Sequence, residues 1–151
     1  MELFRISIEA YAKGLSASGS ANRWNKSGEF VLYAGSSRSL ASLELVVHRA
    51  AIRPLGNYKV MVISVADEDK LVRQVHLDEL PASWRTAAAY PDLQKLGSNW
   101  YRNKETLLLK VPSAVIIREY NYLINIGHPA FVEKVSLVRN EDYFWDERLL
   151  S

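Results

Sequence analysis

The chain has 151 residues, the length of one ordinary domain and enough to bury a core without disulfides or metals. Apolar residues make up 48% and charged residues 24%, which is a globular composition and not a disordered one. A net charge of +2 carried by scattered basic residues argues against direct nucleic-acid binding, and the absence of cysteine excludes disulfide scaffolds, zinc knuckles and thiol nucleophiles.

Met1-Glu2-Leu3-Phe4-Arg5 lacks the basic start and apolar run of a signal peptide. No apolar stretch approaches the ~20 residues that span a bilayer. The expectation is a cytoplasmic protein without membrane contact. Leu3 to Ser7 predicts a short strand. Gly14 to Gly28 follows as an irregular loop with four serines and three glycines, and such a run inside a compact domain is often functional. Glu29 to Ala34 predicts a second strand.

Ser36 and Ser37 offer N-caps for a helix from about Arg38 to Ala51, which Pro54 and Gly56 would stop. Tyr58 to Val65 is a strongly apolar strand, and Leu71 to Val75 a shorter one. Pro81 to Arg102 reads as helical stretches broken near Tyr90-Pro91 and Gly97. Thr106 to Val111, Ala114 to Arg118 and Val135 to Val138 complete the predicted strands. Strands dominate the C-terminal half, which indicates α+β and not a regular βαβ repeat.

On the 38–51 helix, Leu40, Leu43, Val47 and Ala51 share one face at about 100° per residue. Glu44 falls inside that apolar arc. It is either an edge glutamate whose carboxylate reaches water or a catalytic carboxylate in a partly dry cleft. Arg23 lies in the polar loop; it is a surface arginine packed on Trp24, or a planar fork gripping a diphosphate. Tyr33 ends a strand before Gly35, as a core aromatic or as a platform for stacking a ring. His48 is four residues after Glu44, the spacing of a metal pair, but no third ligand stands nearby and no metal site is expected. Ser113 lacks the glycine frame of a hydrolase nucleophile.

The order of motifs resembles the RES family, named for arginine, glutamate and serine residues. Leu3-Phe4-Arg5-Ile6 is similar to the family's opening strand with its arginine. Arg23-Trp24-Asn25-Lys26-Ser27-Gly28 resembles its Arg-Trp-Asn-x-x-Gly loop. Val31-Leu32-Tyr33-Ala34 and the segment from Ser39 to His48 follow in order. The segment from Leu109 to Val115 and that from Asn121 to Pro129 resemble the paired "Val-Pro-Ser-Ala" and "Asn-Tyr-Leu-x-Asn-Pro-x-His-Pro" stretches, with Ile126 where proline is usual. Phe144-Trp145-Asp146-Glu147-Arg148-Leu149 resembles the closing Phe-x-Asp-x-Arg-Leu.

That resemblance implies a single-domain α+β fold over residues 1–151. It would be ADP-ribosyltransferase-like, with a curved or split, mostly antiparallel β-sheet flanked by helices. It implies a toxin of a toxin–antitoxin pair that cleaves the nicotinamide–ribose bond of NAD⁺, with NAD⁺ as substrate and no further cofactor. Arg23 would contact the phosphates or ribose, Tyr33 would stack on nicotinamide, and Glu44 would hold the nicotinamide ribose. Arg5, Ser113 and Asn125 would line the pocket. Arg23, Tyr33 and Glu44 fall within 22 residues, a compression of RES proteins relative to ADP-ribosyltransferases in general. The implied partner is an Xre-class antitoxin that binds DNA itself and occludes the cleft, and a homodimer within that complex is compatible with the resemblance. The alternatives are a mono-ADP-ribosyltransferase with a specific protein target and a module that only binds.

Overall fold

The computed structural model describes residues 1–49 and 56–150. Among them, seven strands form one mixed sheet: β1 (Glu2–Ile8), β2 (Val31–Gly35), β3 (Tyr58–Val65), β4 (Val72–Gln74), β5 (Leu108–Pro112), β6 (Tyr120–Asn125) and β7 (Val135–Tyr143). Their spatial order is β4-β5-β6-β2-β1-β3-β7, antiparallel throughout except for the β4–β5 pair. Three α-helices accompany it: α1 (Arg38–Arg49), α2 (Tyr90–Asn103) and the single turn α3 (Phe131–Lys134). The α+β class and the mostly antiparallel sheet agree with the sequence reading.

The pairing is uneven at the centre. β1 holds β3 over seven register pairs, Glu2↔Ser64 through Ile8↔Tyr58, but meets β2 at one pair only, Phe4↔Gly35. The sheet therefore splits along a seam between β1 and β2. Strand alternation decides what covers each side. Phe4, Val60 and Val62 share one side with Val31, Leu109, Val111 and Leu123. The first three pack with Ala41 of α1; the other four pack with Trp24, Trp84, Leu93 and Trp100, the last two from α2. The opposite side carries Leu3, Leu32, Met61, Ile63, Leu108 and Ile124 in the largest buried cluster. The two long helices thus cover two halves of one face, and the seam lies between them.

Ser37 does cap α1, accepting the Leu40 N–H at 3.0 Å. The expected end of that helix at Ala51 and its stop at Pro54 lie outside the described residues. The predicted stripe on α1 is only partly core. Leu40 is fully buried, but Val47 is 59% exposed and helps wall the cleft described below.

Two predictions fail for identifiable reasons. The expected boundary near Tyr90-Pro91 is present, since a 3-10 turn at Ala87–Ala89 gives way there to α2 with proline in its first turn, but α2 then runs unbroken through Gly97. Glycine is needed at 97 because a Cβ there would meet the Trp24 carbonyl oxygen at 1.7 Å. The predicted strand at Ala114–Arg118 is a turn, and β6 starts only at Tyr120. Ser113 Oγ accepts the N–H groups of both Val115 and Ile116 at 3.0 Å, diverting those β-prone residues from a ladder.

Candidate active-site cleft

Over the seam opens a cleft of about 800 Å³, within the range of roughly 300–1,000 Å³ usual for small-molecule sites. Arg5, Arg23, Tyr33 and Glu44 all line it. Four residues separated in sequence are brought together by the split sheet, by the 14–28 loop folded over β2, and by the cleft-facing side of α1.

Arg5 fills the seam. Its Nη1 donates to the Tyr33 carbonyl at 3.0 Å, so a side chain links β1 to β2 where the ladder is missing. Burial lowers its pKa; a guanidinium nevertheless stays charged. The seam is thereby held by a fixed positive group.

Glu44 is half-buried and gripped through one oxygen. Ser113 Oγ donates to its Oε1 at 2.6 Å, and Asn121 Nδ2 donates to the same oxygen at 2.7 Å. Oε2 makes no hydrogen bond among the described residues and is left to the cleft. Ser113 itself is fully buried. Its lone pairs serve Val115 and Ile116, so its one proton is directed at Glu44. Ser113 therefore backs the carboxylate and does not line the pocket, contrary to the expectation from the motif.

Tyr33 is tied from behind. Its hydroxyl donates to Asn25 Oδ1 at 2.6 Å and accepts the Trp24 N–H at 3.2 Å. Burial pushes that hydroxyl well above the ordinary tyrosine value, with the Trp24 N–H pulling in the opposite direction. Asn25 in turn donates to the carbonyls of Ser20, Lys26 and Glu29, which shapes the loop around the ring. The buried Glu29 carboxylate accepts from Lys26 N–H at 2.7 Å and Ser98 Oγ at 2.8 Å. Gln94 Nε2 adds a bond to the Asn22 carbonyl at 2.8 Å. Tyr90, Gln94, Gly97 and Ser98 recur at helical spacing, so one face of α2 carries Asn22, Arg23 and Trp24 of the loop and Glu29 just after it.

Arg23 rises from that loop. Its Nη1 donates to the carbonyls of Trp84 and Arg85 at 3.1 Å each, and its guanidinium lies 4.9 Å from the Tyr90 ring centroid. Carbonyls and a ring face orient a cation without neutralising it.

Asn125 is not brought to the cleft. It is buried, with Nδ2 donating to the Tyr101 carbonyl at 3.1 Å and Oδ1 accepting the Gly127 N–H at 2.9 Å. Asn121 and Asn125 lie on the same face of β6, but four residues of strand separate them by about 13 Å. Asn121 reaches Glu44, while Asn125 closes the turn at the far end. The sequence reading named Asn125 and not Asn121 from that motif, and gave no role to Asn25 or Arg85. Asn25 had a signal, since it sits two residues from Arg23 in the loop motif; Arg85 had none. Among the described residues, no group of three metal-ligating side chains occurs and no helix is long and apolar enough to cross a membrane.

Comparisons with known proteins place this geometry. The RES domain family model matches residues 2–146. A protein named Toxin Res from Yersinia enterocolitica is 31% identical over 153 residues, covering 99% of each chain. Another Toxin Res, from Pseudomonas putida, is 33% identical over 99% of each. The Prs ADP-ribosylating toxin of a Sphingobium species is 40% identical over 77% of this chain and 73% of its own length. Among solved structures, the M. tuberculosis MbcT–MbcA toxin–antitoxin complex has a chain that matches with a TM-score of 0.76. It covers 94% of this chain and 83% of its own length at 16% identity, a likeness of fold. That likeness agrees with the ADP-ribosyltransferase-like architecture expected from the motifs. The split sheet, the ordered motifs and the match over residues 2–146 make this chain a member of the RES domain family.

Proposed function

We propose that the protein is the toxin of a toxin–antitoxin pair and that it breaks the bond between nicotinamide and ribose in NAD⁺. The observation that carries this reading is Glu44, a carboxylate held through one oxygen in a cleft that also holds Arg23 and Tyr33. Nicotinamide leaves with the electron pair of the C1′–N bond and becomes neutral. The positive charge passes to the ribose as an oxocarbenium-like ion, as in glycoside hydrolysis. A fixed carboxylate oxygen beside that sugar stabilises the charge as it forms, until water, with loss of a proton, or phosphate forms the new bond to C1′ and gives ADP-ribose or its phosphate. Ser113 and Asn121 hold Glu44 in place beforehand, so little reorganisation accompanies the step. The Tyr33 ring would stack on nicotinamide and orient the bond to be broken. Its hydroxyl is already engaged by Asn25 and Trp24, which fits a ring role better than a proton-transfer role. Arg23 would hold the phosphates or ribose.

Incubating the purified protein with NAD⁺ and identifying the products by mass spectrometry tests this directly. Free nicotinamide with ADP-ribose or its phosphate is the expected result. Unchanged NAD⁺ would overturn it. A second reading, transfer of ADP-ribose to a protein, is favoured by the name of the Sphingobium relative, and a mass increase on a protein would select it.

The partner in this reading is an Xre-class antitoxin that covers the cleft. The structural relative was solved as a toxin–antitoxin complex, which supports a protein partner for this chain. An inhibited complex that still bound an NAD⁺ analogue with unchanged affinity would exclude occlusion.

A further inference from the structure

We propose that Arg85 is a second substrate-binding arginine and forms, with Arg23, a two-guanidinium clamp for a diphosphate. This assignment rests on the reading of the cleft as a dinucleotide site. Both arginines line the same cleft. Their anchors are linked, because Arg23 Nη1 bonds the carbonyl of Arg85 itself at 3.1 Å. Arg85 is pinned by one atom only, its Nε donating to the Ala114 carbonyl at 3.0 Å. Its two Nη groups make no hydrogen bond or ion pair among the described residues, and neither do Nε and Nη2 of Arg23.

The charge balance points to an anion. The charged side chains lining the cleft, among the described residues, are Arg5, Arg23, Arg85 and Glu44. Arg5 is committed to the seam, and Glu44 is gripped by Ser113 and Asn121. Arg23 and Arg85 are left as like charges with no carboxylate partner, held only by neutral carbonyls and a ring. An anion bound on this side of the cleft would supply the counter-charge that neither arginine has in the cleft lining. Two planar forks suit a ligand with oxygens on two adjacent phosphorus atoms, whereas one carboxylate would satisfy only one fork.

The Arg85–Ala114 bond has a further consequence. It ties the anion end of the cleft to the 113–116 turn, whose Ser113 orients Glu44. Seating the diphosphate on Arg85 would therefore help fix the register of the ribose against Glu44.

Calorimetric titration of the purified, antitoxin-free protein with inorganic pyrophosphate and with ADP-ribose tests the clamp, beside NAD⁺ kinetics on the same preparations. Arg85→Gln should weaken both probes by about tenfold or more, and the NAD⁺ KM should rise by more than kcat falls. Arg85→Lys, which keeps the charge without the fork, should fall between; it also decides the matter if Arg85→Gln does not fold. Parental affinity for pyrophosphate in folded Arg85→Gln would overturn the clamp, as would a parent protein that binds neither probe. The outcomes separate the two proposals. A parent that cleaves no NAD⁺ but loses pyrophosphate on Arg85→Gln retains the clamp and loses the NAD⁺ reading. A parent that cleaves NAD⁺ while Arg85→Gln binds both probes unchanged retains the reading and loses the clamp.

Discussion

Ser113 Oγ donates to Glu44 Oε1 at 2.6 Å while accepting the N–H groups of Val115 and Ile116 at 3.0 Å each. One buried hydroxyl thus shapes a turn and aims a carboxylate on a different element. Ser113→Ala should act on both. Losing the acceptor leaves two N–H groups short and costs about 1–3 kcal/mol of stability. Losing the donor frees Glu44 to drift, and misplacement on the scale of 1 Å costs on the order of 10²-fold in turnover. Asn121→Ala should lower kcat in the same direction. The double variant should cost less than the two single losses combined, because both groups serve one oxygen. Additive losses in kcat would show that the two do not act through one shared oxygen.

Tyr33→Phe keeps the ring and removes the hydroxyl that Asn25 and Trp24 share. Turnover should persist, and Tyr33→Ala should be far worse if stacking is the role. The pH dependence gives a separate check. Burial raises the folded-state value of Tyr33 above the ordinary one. Above about pH 10 the unfolded chain therefore holds fewer protons than the folded one, and stability falls as pH rises. In Tyr33→Phe that alkaline loss should be smaller than in the parent. Identical alkaline melting curves for the two proteins would contradict the burial of this hydroxyl.

Gly97→Ala sets two effects against each other. Alanine in mid-helix gains about 1 kcal/mol over glycine. Against that, the new Cβ would lie 1.7 Å from the Trp24 carbonyl oxygen, a backbone atom that can move only if its loop moves. The clash should win. Lower thermal stability and a raised KM for NAD⁺ are expected together, because the displaced loop carries Arg23. A more stable Gly97→Ala with parental KM would show that the loop is not seated on α2.

Much of this was legible in the sequence, unevenly. Alternation and apolar runs located β1 and β3, and Ser37 located the start of α1, because those signals are local. Glu44 stood out inside the apolar arc of its helix, Arg23 and Tyr33 were open between two readings until the motif order chose one, and Arg5 came from motif order alone; all four line the cleft. What was missed depends on distant contacts. Gly97 looks like a breaker until Trp24 is known to lie against it. Val115, Ile116 and Ile117 look like a strand until the Ser113 hydroxyl captures two of their N–H groups. Asn121 and Asn125 are indistinguishable until β6 puts one at each end. Arg85 carries no local signal, and its place shows only in the fold, through the carbonyl it offers to Arg23 and its bond to Ala114.

If the Glu44 carboxylate stabilises charge on the ribose, Glu44→Gln should abolish that effect while sparing the fold. Glutamine can keep an oxygen for Ser113 and Asn121 to bond, so the fold should hold. What disappears is the negative charge at the cleft-facing atom. On one preparation, kcat for NAD⁺ cleavage should fall by about 10²–10³-fold. KM should change little, and the melting temperature should stay within a few degrees of the parent's. A folded Glu44→Gln protein that cleaves NAD⁺ at nearly the parental rate would remove Glu44 from the chemistry.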